Sequence, residues 1–245
     1  MEDAVEFKWV ITTNHKKKYR DFVERYKEHT FVKSRILTNV EHENFDLSPA
    51  NFWRKLVGCL LSTRQRSGEG SRVSSFINSD NTLLDINYCL RTKNLAEVAQ
   101  KTLFQNSIRR RNRIANEIEH ARDWLASYGW QTIESQLDTI SSYTTVKKER
   151  SVVNFLKENF KGIGPKQSRN LIQWMGLSKY EIPLDSRIVS VLRELDFPIP
   201  LSSSALSDEK YYCFIEDGIQ LMMVEIGVYP CVFDACAFAS RERNS

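Results

Sequence analysis

No apolar run in the 245 residues approaches membrane-spanning length, which argues for a chain that stays in water. The acidic N-terminus carries no apolar h-region, so no secretory signal is expected. Cysteine is sparse, with five residues in all: Cys59, Cys89, Cys213, Cys231 and Cys236. An odd count without a signal peptide argues against a disulfide framework and for a reducing compartment. Cys231 and Cys236 miss the CxxC spacing and have no further thiols nearby, so neither a zinc nor an iron–sulfur site is expected, and no other cofactor is implied. Glycine and proline are few, nine and six, and no repeat or low-complexity segment interrupts the chain. Strand patterns are nearly absent. Only residues 5–12 alternate in part, as a short strand or an extended arm.

The composition that remains is globular: 41% hydrophobic, 27% charged, with a net charge of +4 and a pI near 8.7. That length allows one large domain or two small ones. The mild positive charge is compatible with nucleic acid and weak evidence by itself. Basic residues cluster at Lys16-Lys17-Lys18 with Arg20, at Arg109-Arg110-Arg111 with Arg113, and at Lys147-Lys148 with Arg150. Each run taken alone reads as a solvated helix face.

Helical periodicity accounts for most of the chain. A polar helix is expected over 14–28. Ser48-Pro49 opens another through Phe52, Leu56, Leu60 and Leu61, with proline at its favoured first-turn position. Further helices are expected over 69–77, 94–102, 108–128 (closed by Gly129) and 131–142. Then come 149–160, 166–176 and 185–195, a loop marked by Pro198, Pro200 and Ser202-Ser203-Ser204, and last helices over 207–226 and 230–241.

Between two of these helices lies Lys161-Gly162-Ile163-Gly164-Pro165-Lys166. The glycines admit backbone conformations closed to other residues and let a ligand approach the main chain. Pro165 suits the first position of the next helix, whose start presents unpaired N–H groups to an anion. Gly162, Gly164 and Gln167 are the expected donors, and Ile163 anchors the hairpin from beneath. An ordinary helix–helix connection would look similar. What separates this one is Lys166 just past the turn and Asp185, nineteen positions on, in Pro183-Leu184-Asp185-Ser186-Arg187-Ile188. A nucleophile and an anion are thereby able to share one site.

Hairpin, lysine and aspartate together resemble the helix–hairpin–helix DNA glycosylases with a Gly/Pro-rich loop and an aspartate, and most of all the small 8-oxoguanine DNA glycosylase/lyases of archaeal and bacterial type. The resemblance is strong over residues 150–193 and runs in helix order over 50–195. It implies a mostly α fold of two helical subdomains with the active site in the cleft between them. The implied division is 1–48, an N-terminal arm and helix packing with the C-terminal helices; 49–200, a helical core with the hairpin motif at about 150–176; and 201–245, the C-terminal helices. It also implies base excision from double-stranded DNA by a monomer in the cytoplasm, associated with the nucleoid. Lys166 would attack C1′ and form a Schiff base, followed by β-elimination. Asp185 would stabilise the oxocarbenium-like sugar and activate the lysine.

The same resemblance implies that Arg64 or Gln65, in Leu61-Ser62-Thr63-Arg64-Gln65, fills the gap left by the flipped base. Arg187 would meet a phosphate or form a structural salt bridge. Backbone carbonyls of Glu158, Phe160 and Ile163 would hold a monovalent cation; no metal is expected on side chains. The tail from Gly227 departs from the pattern. Phe233 or Phe238 would stack on a base and Asp234 accept from its edge, or all three belong to a helix core. An oxidised purine leads as the excised base, and a modified pyrimidine stays open. The alternatives are a monofunctional glycosylase and a non-catalytic DNA-binding module.

Overall fold

The computed structural model describes residues 8–43, 45–202 and 204–242. Among these, every regular element is helical. The chain begins with α1 (Thr13–Tyr26) and α2 (Thr30–Arg35), the latter running into a π-helical turn at Ile36–Val40. There follow α3 (Pro49–Leu61), α4 (Arg72–Ile77), α5 (Ile86–Arg91), α6 (Leu95–Gln105), α7 (Arg111–Tyr128) and α8 (Trp130–Ser141). The hairpin joins α9 (Val146–Asn159) to α10 (Pro165–Trp174), and α11 (Ser186–Glu194), α12 (Glu209–Ile226) and α13 (Pro230–Ala239) complete the fold.

Local chemistry sets the starts. Ser48 accepts from Asn51 N–H with Pro49 at the first position of α3, Thr145 caps α9 through Lys148 N–H, and Asp208 caps α12 through Tyr211 N–H. Two helices have no counterpart in the sequence pattern, α2 and α5. Each has six residues, too few to show a period, and each is started by a side-chain cap, His29 or Asp85. The helix expected from 108 starts at Arg111, because Ser107 and Arg110 take left-handed backbone angles (φ 55° and 58°).

Residues 8–12 form no strand; positions 5–7 of the expected strand lie outside the described residues. Their partial alternation reflects one docked ring. Trp9 lies against Phe197 and Phe214 (centroids 5.5 and 5.0 Å) and over Gly218, where a Cβ would sit 2.7 Å from the indole. Any larger residue at 218 would push the arm away.

Two apolar cores form. The first runs from Phe52 to Leu177 and packs α3 to α10 around Trp53, Leu56, Leu60, Ile118 and Leu156. The second joins Tyr19 to Val32 with Ile182 to Ala239, so α1 and α2 pack with α11, α12 and α13. The chain changes core between Leu177 and Ile182. Lys166 therefore stands on a helix of the first half and Asp185 at the start of a helix of the second.

The crossing is held by buried charge. Glu149, fully buried, accepts from the N–H groups of Lys179, Tyr180 and Glu181 (2.8–2.9 Å) and from Ser178 and Thr144 hydroxyls. Burial pushes its carboxyl up to about 7 against the pull of those donors. Arg169, on α10, has no exposed side-chain surface and pairs with Glu216 (2.8 Å), Glu181 (2.8 Å) and Glu209 (3.0 Å), stacks over Tyr212 and donates to the Pro165 carbonyl (2.9 Å). Arg150 pairs with Glu181 and Asp217. Burial first, and the neighbouring Glu181 charge second, hold the Glu216 carboxyl well above the usual range. Removing one partner of such a group strands the others in a dry site, at a cost of about 3–5 kcal/mol. Arg169→Ala is expected to lower unfolding free energy by that amount in equilibrium urea titrations; a loss below about 1 kcal/mol would show that water already screens the network.

Candidate active site at the hairpin and the interdomain cleft

The hairpin is closed by its own backbone. Phe160 N–H donates to Leu156 O (3.0 Å), and Ile163 N–H returns to Phe160 O (3.1 Å). Phe160 and Ile163, 1% and 3% exposed, anchor it in the first core. Gly162 has φ +90°, and a Cβ there would sit 2.4 Å from the Glu117 carboxyl carbon. That carboxylate is buried and paired with Arg113 (2.6 Å), so it has little room to yield. Gly164 occupies the N-cap of α10 with Pro165 next. The backbone N–H groups of Gly162, Gly164, Lys166 and Gln167 form no hydrogen bond among the described residues. Three of these, on Gly164, Lys166 and Gln167, lie at the start of α10, where free donors favour an anion.

Gln167 contributes there by its backbone only. Its side chain turns inward, donating to Thr63 Oγ1 (2.9 Å) and Ser62 Oγ (3.2 Å). Lys166 is half-buried, and its charge acts on both the Asp185 carboxyl and the Cys59 thiol. Asp185 caps α11: Oδ1 accepts from Arg187 N–H (2.8 Å) and Ile188 N–H (3.1 Å), and Oδ2 takes the Arg187 guanidinium through Nε (2.7 Å) and Nη2. Burial alone would raise its pKa, but the Arg187 bond, the Arg187 charge and the Lys166 charge bring it below the ordinary value. Of the two roles open to Arg187, the salt bridge is the one seen, with the guanidinium 4.7 Å over the Phe238 ring.

The segment after α3 divides its work. The Gln65 amide donates to Leu61 O and accepts from Arg109 N–H (3.2 Å), so it clamps the end of α3 to the loop before α7. Arg64 is exposed, with a left-handed backbone (φ 56°), and projects from that clamp. Arg110 reaches Thr63 O (3.5 Å) and Arg72 reaches Ser107 O (3.3 Å), tying residues 107–110 to the same face. The basic run at 109–113 thus begins in a loop beside the hairpin. Read as a helix face, it concealed this; the only signal was three adjacent arginines directly after Ser107-Ile108.

Phe233 does not reach the cleft. It is fully buried on Tyr19 and Phe22 (5.7 and 5.8 Å), because an inward position of α13 must fill the second core. Phe238 stacks on Phe31 (4.2 Å) beneath Arg187. Asp234 is buried beside Asp185, Arg187 and Arg35, and its carboxyl is raised to about 6, by burial first, with Arg35 pulling the other way. A cleft of about 450 Å³ opens between the halves, with Phe31 and Arg35 of α2 on one side, Lys55 of α3 and Ile77 of α4 on the other, and Gln173 and Trp174 at the end of α10.

The carbonyls of Glu158 and Ile163 accept no backbone hydrogen bond, while that of Phe160 takes the Ile163 N–H. No group of three or more His, Cys, Asp or Glu side chains able to hold a metal occurs among the described residues, and no single helix there is long and apolar enough to cross a membrane.

Asp185 yields a pH prediction. Its ionised form is favoured in the folded state, so its contribution is present above about pH 4 and lost as pH falls through the lowered folded value. Asn at 185 keeps the cap and loses the ion pair. The urea-midpoint gap between wild type and Asp185→Asn should be widest near neutrality and close on acidification below pH 4; a gap that widens in acid contradicts the assignment.

No family model matches the chain, and no curated protein matches it. Solved structures do. The 8-oxoguanine glycosylase/lyase of Methanocaldococcus jannaschii, in complex with a 15mer DNA containing 8-oxoguanine, superposes with a TM-score of 0.65 at 19% identity over 91% of this chain and 96% of that one. The 8-oxoguanine DNA glycosylase of Thermotoga maritima gives 0.65 at 16% identity over 93% and 98%. A second structure of the Methanocaldococcus jannaschii enzyme gives 0.64 at 19% over 94% and 95%. Identities this low carry architecture and not activity, and the architecture of this chain is the two-part helical, helix–hairpin–helix fold of the 8-oxoguanine DNA glycosylases.

Proposed function

We propose that the chain is a DNA glycosylase with abasic-site lyase activity that removes an oxidised purine from double-stranded DNA. The observation that carries this reading is the approach of Lys166, on a helix of one core, to Asp185, at a helix start of the other, near enough for the lysine charge to act on the carboxyl, beside a hairpin with the N–H groups of Gly162, Gly164, Lys166 and Gln167 unbonded. A phosphate-binding module gains nothing from a buried carboxylate at that point. The similar proteins are named for 8-oxoguanine, and one of them is held on DNA containing it.

On this reading the free N–H groups of the hairpin hold the backbone of the damaged strand while the target nucleotide leaves the stack. Asp185 faces the sugar as the C1′–N bond stretches and positive charge builds there. The neutral amine of Lys166 attacks C1′, and the base departs with the bond's electron pair and is protonated. Loss of a proton from nitrogen and opening of the sugar leave a Schiff base. Removal of a C2′ proton then expels the 3′ phosphate. No step requires a metal or an organic cofactor. A monovalent cation on the carbonyls of Glu158, Phe160 and Ile163 would brace the hairpin without entering the chemistry. Arg64, exposed beside the Gln65 clamp, would fill the gap left by the flipped base. The protein acts as a monomer, in the cytoplasm with the nucleoid.

With duplex carrying 8-oxoguanine and borohydride present, wild type should form a covalent DNA complex that Lys166→Gln abolishes. Asp185→Asn should slow base release roughly 10²–10³-fold while keeping duplex affinity. Base release without strand cleavage would make the enzyme monofunctional. Salt-dependent binding with no release from any lesion would reduce the chain to a DNA-binding module.

A further inference from the structure

Gln173 is a buried polar residue that the hairpin chemistry leaves unused. It is 2% exposed, and its side-chain Nε2 makes no hydrogen bond of standard geometry. The amide stands close enough to Asp234 to pull on that carboxyl, yet the two do not form a well-aligned bond. Its main chain is firmly placed: the Gln173 carbonyl accepts from Asn39 Nδ2 (3.0 Å) and more weakly from Arg35 Nη1 (3.4 Å). A fixed residue whose buried donor faces a carboxylate out of line, at the wall of a cleft, can turn to a better-aligned ligand acceptor. Arg35 lines the same cleft, its guanidinium 5.4 Å from the Phe31 ring, with that single long hydrogen bond.

The spacing along α10 suits one nucleotide. Lys166 and Gln173 are seven residues apart, two turns, so they share a face roughly 10 Å apart along the axis. Lys166 does not line the cleft itself, and a base whose sugar is held at Lys166 would extend from it toward Gln173 and Arg35 at the far end of α10. Donors prevail there, with Asp234 the adjacent acceptor. A guanine oxidised at C8 carries two ring-carbonyl oxygens and two ring N–H groups, which matches donors beside a carboxylate. Adenine would turn its amino group on the donors and leave them unpaired.

We infer that Gln173 and Arg35 determine base specificity, donating hydrogen bonds to the ring-carbonyl oxygens of a flipped oxidised guanine. This rests on the glycosylase reading above. The test is single-turnover base release from duplexes carrying 8-oxoguanine, 8-oxoadenine or uracil, with cleavage of a preformed abasic site measured on the same preparations. Gln173→Leu and Arg35→Met should each slow 8-oxoguanine release about 10- to 100-fold and leave abasic-site cleavage within about twofold of wild type, since no base is present there. Unchanged release in both variants overturns the inference and leaves the glycosylase reading standing. So does an equal loss on both substrates in Arg35→Met, or a wild type that prefers 8-oxoadenine or uracil. A wild type inactive on every duplex overturns both. If Gln173→Leu alone loses abasic-site cleavage, it has misfolded, and the half-buried Arg35→Met decides the matter.

Discussion

The relation between the two halves rests on a network of buried charge centred on Arg169. Arg169 stands three residues after Lys166, and one of its anions, Glu181, stands four before Asp185. Through Glu209 and Glu216 it also grips α12, and through the Pro165 carbonyl it grips the hairpin itself. Replacing such a cluster with apolar residues is often neutral or better for stability, so stability alone is a weak reason to keep it. Direction is a better one. Apolar packing tolerates sliding, whereas a guanidinium bonded on several sides does not. Lys166 and Asp185 stand on helices of different cores, and if they act together as proposed, an error of about 1 Å between them would cost about 10²-fold in rate. The network ties the two where the hydrophobic cores by themselves would let them drift.

What the sequence disclosed, and what it withheld, follows from range. The hairpin was legible because glycine, proline and an N-capping aspartate act through their own backbone within a few residues. Long amphipathic helices such as α3, α7 and α12 were legible by period. The six-residue α2 and its π-turn had too little length to show one, and with them went Arg35 and Asn39. Phe233 and Phe238 sit five apart on α13 and looked equivalent; only the packing of Tyr19 and Phe22 assigns the first to the core. Gln65 looked like an intercalating side chain, and its role as a clamp required Arg109, which lies 44 residues away. Gln173 read as an ordinary polar position on a helix, because the cleft that makes it matter exists only where the two halves meet.

The tail from Gly227 matches no expected base-reading pattern, yet it bears on the chemistry by another path. Phe238 lies between Phe31 and Arg187, stacked on one and covered by the other. It thereby fixes the plane of the guanidinium that holds Asp185 Oδ2. Asp234, one turn earlier on α13, adds a buried carboxyl that Arg35 and Arg187 both oppose. From Lys166 the groups that act on one another run cation, anion, cation: Lys166, Asp185 and Arg187. In a site of low dielectric each member sets the charge state its neighbours can hold. Asp185 is held ionised by the Arg187 bond and charge and by the Lys166 charge, and Arg187 keeps its place because an aromatic ring and a second acid surround it. Helix α13 therefore connects Asp185, through Arg187 and Asp234, to Gln173 and Arg35 at the wall of the cleft.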